Sequence, residues 1–269
     1  MSKVIALGAG HGRYTAGKRC MKSIDPLQTR EWVLNDRIMD IVQNELANNY
    51  DVKILRVDDT TGKKDIPLAT RVKMANDAGA EAYISMHHNA GINGRSGGGT
   101  VVFYYSSNIQ RRDQAQKLYN YITDETKLYG NRSQQVIKKA FYVLKHTKMP
   151  AFLIENGFMD STVDVPIILS HEHAVKTARG LVAFIVEQFG LEPLKVSQND
   201  NNKATDVYYP RYSGVKTTLS NAMNSLGLDA SYSHRKLIAK ANNISGYVGT
   251  AKQNTIMYNL LVAGLLKKE

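Results

Sequence analysis

Residues 66–90, IPLATRVKMANDAGAEAYISMHHNA, hold the reading that decides the fold. The stretch 67–78 reads as a helix ended by Gly79, because glycine takes the left-handed turn after a helix without a Cβ clash. Directly behind it, 81–86 is a strand-length apolar run that stops at His87 and His88. A helix handing over to a strand is half of an α/β repeat, and the same alternation runs from residue 1 to about residue 190. Working outward, strands are expected at 3–7, 51–57, 100–105 and 151–155, each bounded by Gly, Pro, Asn or Asp. Helices fill the gaps. The stretch 29–48 places Leu34, Ile38, Ile41, Val42 and Leu46 on one face, a third helix covers 113–127, and a last one carries Ala174, Ala178, Leu181, Val182, Ile185 and Phe189 on one stripe. The expected fold class is α/β, an open, twisted, mostly parallel sheet flanked by helices.

Composition agrees with a packed domain. The 269 residues are 43% hydrophobic and 22% charged, enough apolar material to exclude a disordered chain, and the 20 glycines have no collagen-like period. The longest apolar run, 181–186, is far short of the roughly 18 residues of a membrane span, so a soluble chain is expected. After Lys3 the run 4–9 is too short for a secretory signal, which implies synthesis in the cytoplasm. The single cysteine, Cys20, cannot form an internal disulfide. A net charge of +11 calls for a polyanionic partner. Nucleic acid, anionic cell-wall polymers and membrane surfaces all fit that charge, but no recognised nucleic-acid motif accompanies it.

The text turns polar and aperiodic at 195–206, KVSQNDNNKATD, which reads as a linker between a domain at 1–194 and a second at 207–269. The second stretch spaces its apolar residues as three short helices, and carries eight Lys and Arg against two acids, with six of the 15 tyrosines. So small a module has a marginal core, so packing on a neighbour or on another copy is an option.

Four polar residues stand where an open α/β sheet builds its active site, at the carboxyl ends of strands or on the helix entered next. His11 follows the first strand in GAGHG, His87 ends EAYISM, and Glu155 ends AFLIE. Glu31, three residues before Leu34, is turned by a helix towards the inner face. Two histidines and a carboxylate make a catalytic zinc set with one position open, and a second carboxylate is then available as a base.

At these residues the sequence resembles the zinc-dependent N-acetylmuramoyl-L-alanine amidases of the type 3 family, found in bacterial autolysins and phage endolysins. The matching text is GAGHG, TREWVLN, IPLATRVKMANDAGAEAYISMHHNA and MPAFLIENGFMD, in the family's order and spacing, and the resemblance extends over about 185 residues. The resemblance implies that His11, Glu31 and His87 are zinc ligands, that Glu155 is the catalytic glutamate, and that the reaction is metal-assisted cleavage of the amide between N-acetylmuramic acid and L-alanine in peptidoglycan. It departs from the family at Gly8 and Ala9, where Asp and Pro are usual, which leaves open what supports His11. A host autolysin or sporulation amidase would run the same chemistry. The missing signal favours an endolysin, released to the wall through a separate membrane lesion. The text 219–255 also resembles small wall-binding regions that follow catalytic domains in endolysins of phages of Gram-positive hosts. There Tyr208, Tyr209, Tyr212, Tyr232 and Tyr247 would stack on sugars or form the core, with Arg235 and Lys236 meeting anionic wall polymers.

Other residues have plainer readings. Adjacent strand residues point to opposite faces, so only one of His87 and His88 reaches the metal; the resemblance selects His87, and His88 either lines the cleft or is structural. His146, beside an expected strand at 141–144, is a loop residue or a substrate contact, and His171 and His173 are expected at the surface or in a helix cap. The loop 91–100, GINGRSGGGT, lacks the Lys-Ser/Thr ending of a phosphate-binding loop, so its glycines are expected to let backbone approach the sheet edge or the glycan. Arg111, Arg112, Lys138 and Lys139 are expected as solvated charge, with a wall-polymer contact as the alternative.

Overall fold

The short apolar runs do pair as strands. In the computed structural model, which describes residues 2–105, 109–131, 133–194, 208–215 and 217–269, they form one six-stranded sheet. Its strands are β1 (Lys3–Ala9), β2 (Val52–Arg56), β3 (Ala82–Asn89), β4 (Thr100–Tyr104), β5 (Val136–Lys138) and β6 (Ala151–Phe158), in the order β2-β1-β3-β6-β4-β5. β2, β1, β3 and β6 run parallel, β4 is antiparallel to β6, and β5 is parallel to β4. The sheet is therefore mixed and mostly parallel.

Alternation along each strand sorts side chains to two faces. Ile5 and Leu7, Ile84 and Met86, and Phe152 and Ile154 pack with α1 (Glu31–Asn49), α3 (Ile109–Thr126) and α6 (His171–Phe189). Ala6, Tyr83 and Leu153 point the other way, towards α2 (Leu68–Asp77) and α4 (Tyr142–His146). Both sides are covered, which is what parallel strands require. α5 (Asp164–Ile168) packs at the end of β6. No helix of the described residues is long and apolar enough to cross a membrane.

Three local readings change. The run 141–144 is not a strand: Phe141 is extended and the next five residues coil into α4, burying Val143 and Leu144. Five residues carry too little periodicity to separate one helical turn from a strand. His173 is not at the surface but buried, its Nε2 3.0 Å from the Asn156 amide nitrogen, while His171 opens α6 half-buried as a cap residue would. The glycines of the 91–100 loop let backbone approach, but the approach is to another turn of the same chain. A Cβ on Gly99, at φ +91°, would lie 2.1 Å from the Cα of Gly130. Gly99 N–H instead donates to buried Asp164.

The chain separates into two compact units, Met1–Leu194 and Lys195–Glu269. The expected linker, 195–206, lies outside the described residues. The second unit holds α7 (Leu219–Ser225), α8 (Tyr232–Ala241) and α9 (Ala251–Ala263), capped in turn by the side chains of Thr218, Ser231 and Thr250. Tyr209, Tyr212 and Tyr247 lie in its core with Leu219, Met223, Ile238 and Leu261, so these three tyrosines are packing residues rather than sugar platforms. Arg235 is turned inward as well, donating to Tyr247 Oη, the Ala230 carbonyl and Ser220 Oγ.

Candidate active site

The site forms at the carboxyl ends of β1, β3 and β6, where the helix α1 begins. His87 and Glu155 are register partners on adjacent parallel strands, and parity turns both to the α2 side. Glu31 is the first residue of α1, a place where the helix dipole favours a carboxylate. His11 stands just past β1 with φ +64°, a left-handed conformation costly for a residue with a Cβ. Gly10 before it is required by space: a Cβ there would fall 2.1 Å from the His87 ring.

Three ligand atoms converge. His87 Nδ1 lies 3.1 Å and His11 Nε2 3.4 Å from Glu31 Oε1. Two atoms each about 2.0–2.1 Å from a tetrahedral Zn²⁺ are about 3.4 Å apart, so this donor set fits such an ion. Among the described residues His11, Glu31 and His87 are the one group of three or more His, Cys, Asp or Glu side chains able to share a metal.

Charges follow from burial and neighbours. Burial pushes His11 down to about 4, against the pull of Glu31, so its imidazole is neutral and free to donate a lone pair. Burial opposes the charge on Glu31, but His87, His11 and Lys18 together hold it at about 2, ionised. Burial raises Glu155 to about 7, only partly offset by His87, and its Oε2 is buried with no hydrogen-bond partner. The lysine facing these carboxylates is Lys18, whose Nζ is 3.7 Å from Glu31 Oε2.

The supporting residues were not singled out by the sequence. Ser85 Oγ lies 3.1 Å from His87 Nε2 and so turns Nδ1 into the site. Asn35 donates to the Gly10 carbonyl and takes His88 Nδ1 at 2.7 Å, while the His88 backbone N–H donates to Glu31 Oε1. Both had a signal: Ser85 is two residues from His87 on a strand, and Asn35 four from Glu31 on a helix, so each shares a face with its partner. His88 itself is buried on the opposite face and does not line the cleft.

The question raised by Gly8 also has an answer. A Cβ there would point at Val57, Arg71 and the Tyr83 hydroxyl, so a side chain at this position would meet Arg71 rather than His11. The carboxylate near His11 is Asp65, 3.9 Å from Nδ1, held by Thr15 and by buried Arg71, whose guanidinium also binds the carbonyls of Ala9 and His11.

These groups open into a cleft of about 580 Å³ whose walls include Lys18, Asp65, Phe141 and Tyr142. Tyr142 is exposed at the rim and stacks on His146 at 4.3 Å, which puts His146 on α4 behind a cleft residue rather than in a loop.

Comparison with known proteins identifies the family. Residues 5–187 match the family described as N-acetylmuramoyl-L-alanine amidase (Amidase_3). An endolysin of Bacillus phage SPP1 is 29% identical over 193 residues, covering 71% of this chain and 68% of that protein. The N-acetylmuramoyl-L-alanine amidase CwlM of Bacillus licheniformis is 29% identical over 192 residues, 70% of this chain and 69% of its own. Among solved structures, an N-acetylmuramoyl-L-alanine amidase from Clostridium difficile 630 superposes with a TM-score of 0.62 at 24% identity, covering 70% of this chain and 97% of that one. At that identity the likeness speaks for the fold.

Proposed function

The chain belongs to the N-acetylmuramoyl-L-alanine amidase family and is a peptidoglycan amidase, and from that premise we propose that it is a zinc enzyme with His11, Glu31 and His87 as ligands and Glu155 as general base. The observation that carries the reading is the convergence of His11 Nε2 and His87 Nδ1 on Glu31 Oε1, at 3.4 and 3.1 Å, with all three ligand atoms within 4.8 Å of one another, beside a carboxyl group raised to about 7. When bound, the ion supplies a Lewis acid and lowers the pKa of water at its open position.

The chain's own residues do the rest. Glu155, raised by burial to about 7, takes the proton of the attacking water and returns it to the departing alanine nitrogen. Water adds to the lactyl carbonyl carbon, the carbon–nitrogen bond breaks, and the products are a lactyl carboxylate on the glycan and a free stem-peptide amine. Ser85 fixes the His87 ring, and Asn35 and the His88 N–H hold the Glu31 carboxylate.

The biological reading is an endolysin, made in the cytoplasm and acting on the wall after a separate membrane lesion; the likeness to the phage SPP1 endolysin supports it. Lys195–Glu269 is a separate wall-binding module, a reading supported by its own core and its excess of ten Lys and Arg over four acids. Elemental analysis of active protein tests the centre: one zinc per chain is expected, with chelation abolishing turnover of a soluble muramoyl peptide and added zinc restoring it. Full turnover in metal-free protein would end the reading.

A further inference from the structure

In Lys195–Glu269 the helix α8 has two unlike sides. Ile238 and Ala239 are buried, whereas Ser233, Lys236, Leu237 and Lys240 fall within about 100° of one another on the outside. That outer side is one wall of a groove of about 780 Å³, and the turn 243–248 is the other. Leu237 is 53% exposed and Val248, across the groove, 67% exposed, an apolar pair left in water.

The groove is already built. Asn243, Gly246 and Gly249 all have positive φ. Gln253 on α9 donates to the Gly246 carbonyl and accepts from Val248 N–H, and Tyr247 Oη donates to Asn254 at 2.6 Å. A ligand therefore meets a fixed wall and pays little ordering entropy.

Its charge is uncompensated. The acids among residues 208–269 are Asp229 and Glu269, and both face His234, at 3.7 and 2.8 Å. Neither Lys236 nor Lys240 has an acidic partner among the described residues. Arginine, whose planar fork suits carboxylates, is absent from the groove because Arg235 is tied inward. What remains is two compact ammonium charges one helical turn apart, over apolar carbon and hydroxyl groups. That pattern fits a chain of single negative charges joined by short, uncharged carbon links.

We propose that this groove seats a phosphodiester-linked wall polymer, with successive phosphates on Lys236 and Lys240 and the links against Leu237 and Val248. The proposal rests on the reading of this unit as a wall-binding module and names its ligand.

The test uses full-length protein carrying Glu155→Gln so that walls are bound and not cut. Soluble poly(glycerol phosphate) is titrated first, then purified Gram-positive walls before and after hydrofluoric acid removes phosphodiester polymers. Lys236→Gln/Lys240→Gln is expected to weaken both polymer and wall binding by about tenfold or more. Stripping the walls is expected to do the same, and the charge-matched pair Lys53→Gln/Lys73→Gln to leave binding within about twofold. In the active background the double variant should hydrolyse a soluble muramoyl peptide at the parent rate. No binding of the soluble polymer, or equal binding by the double variant, overturns the proposal. Wall binding that survives stripping yet falls in the double variant overturns the phosphodiester as occupant. If the parent binds walls and the double variant binds them equally, the groove is wrong while the wall-binding reading stands; if the parent binds no walls, that reading falls as well.

Discussion

His87 and His88 share a peptide bond, yet they stand in two different chemical environments because a strand sends neighbours to opposite faces. On the α2 side, His87 sits at an open cleft with His11, Glu31 and Glu155, and its Nδ1 is 3.1 Å from a carboxylate oxygen. On the α1 and α6 side, His88 is sealed from solvent, its Nδ1 closed on Asn35, with His173 and Asn156 paired nearby. Burial pushes His88 down to about 3 and His173 to about 4, so both stay neutral. One face opens its titratable groups to the cleft; the other keeps its imidazoles neutral, with His88 Nδ1 on Asn35 and His88 Nε2 buried without a hydrogen-bond partner among the described residues. The difference lies in access and partners, since the side chains are identical.

The largest expected effect tests the cleft face. Glu155→Gln should lower kcat by about 10²- to 10⁴-fold, about 3 to 5 kcal/mol of barrier, while keeping the metal. His87→Ala should lose both metal and turnover. Near-normal turnover in Glu155→Gln, read on a soluble muramoyl peptide, would remove that residue from the mechanism.

Gly10→Ala sharpens the comparison by moving the His87 ring without changing a ligand. The added Cβ would lie 2.1 Å from that ring, so zinc affinity in competition with a chelator should fall about 10- to 100-fold. Unchanged affinity would show that the ring can shift freely.

On the sealed face the change should appear in stability. His88→Ala leaves the Asn35 carbonyl without its donor, at a cost of about 1–3 kcal/mol in denaturant unfolding, and the zinc should be retained. Loss of zinc with unchanged stability would reverse the roles given to the two faces.

The smallest effect is in pH. Unfolded histidines titrate near 6.5, whereas folded His173 does so near 4 and His88 near 3, so the unfolded chain binds more protons in acid. The stability held by these neutral rings is fully present above about 6.5 and is lost as pH falls towards the folded values, by at most about 1.4 kcal/mol per pH unit for each ring. His173→Gln should flatten that acid slope by one histidine's share in melting curves between pH 7 and pH 5. An unchanged slope would mean that His173 does not hold stability through its neutral form.

Much of the first unit was legible because its elements are long or strongly patterned. The strand that carries His87 and the helix that begins at Glu31 lie where alternation and the 3.6-residue stripe put them. The antiparallel direction of β4, the three-residue β5 and the single turns α4 and α5 were not, because strand direction is set by what the strand pairs with and pieces so short carry no period. In the second unit, the pattern of three short helices was visible, but tyrosine count could not tell a sugar platform from a core. Burial of Tyr209, Tyr212 and Tyr247 decided that.

By itself the sequence determined the α/β alternation and which residue types stand at strand ends, because both are local properties of neighbours in the chain. Only the tertiary structure decided that His11 and His87 meet Glu31 within about one tetrahedral edge. It alone set Asp65 beside His11 and Asn35 between the two faces. Those contacts join residues up to 56 positions apart, and a distance of that kind is fixed by how helices pack across a sheet rather than by any sequence spacing.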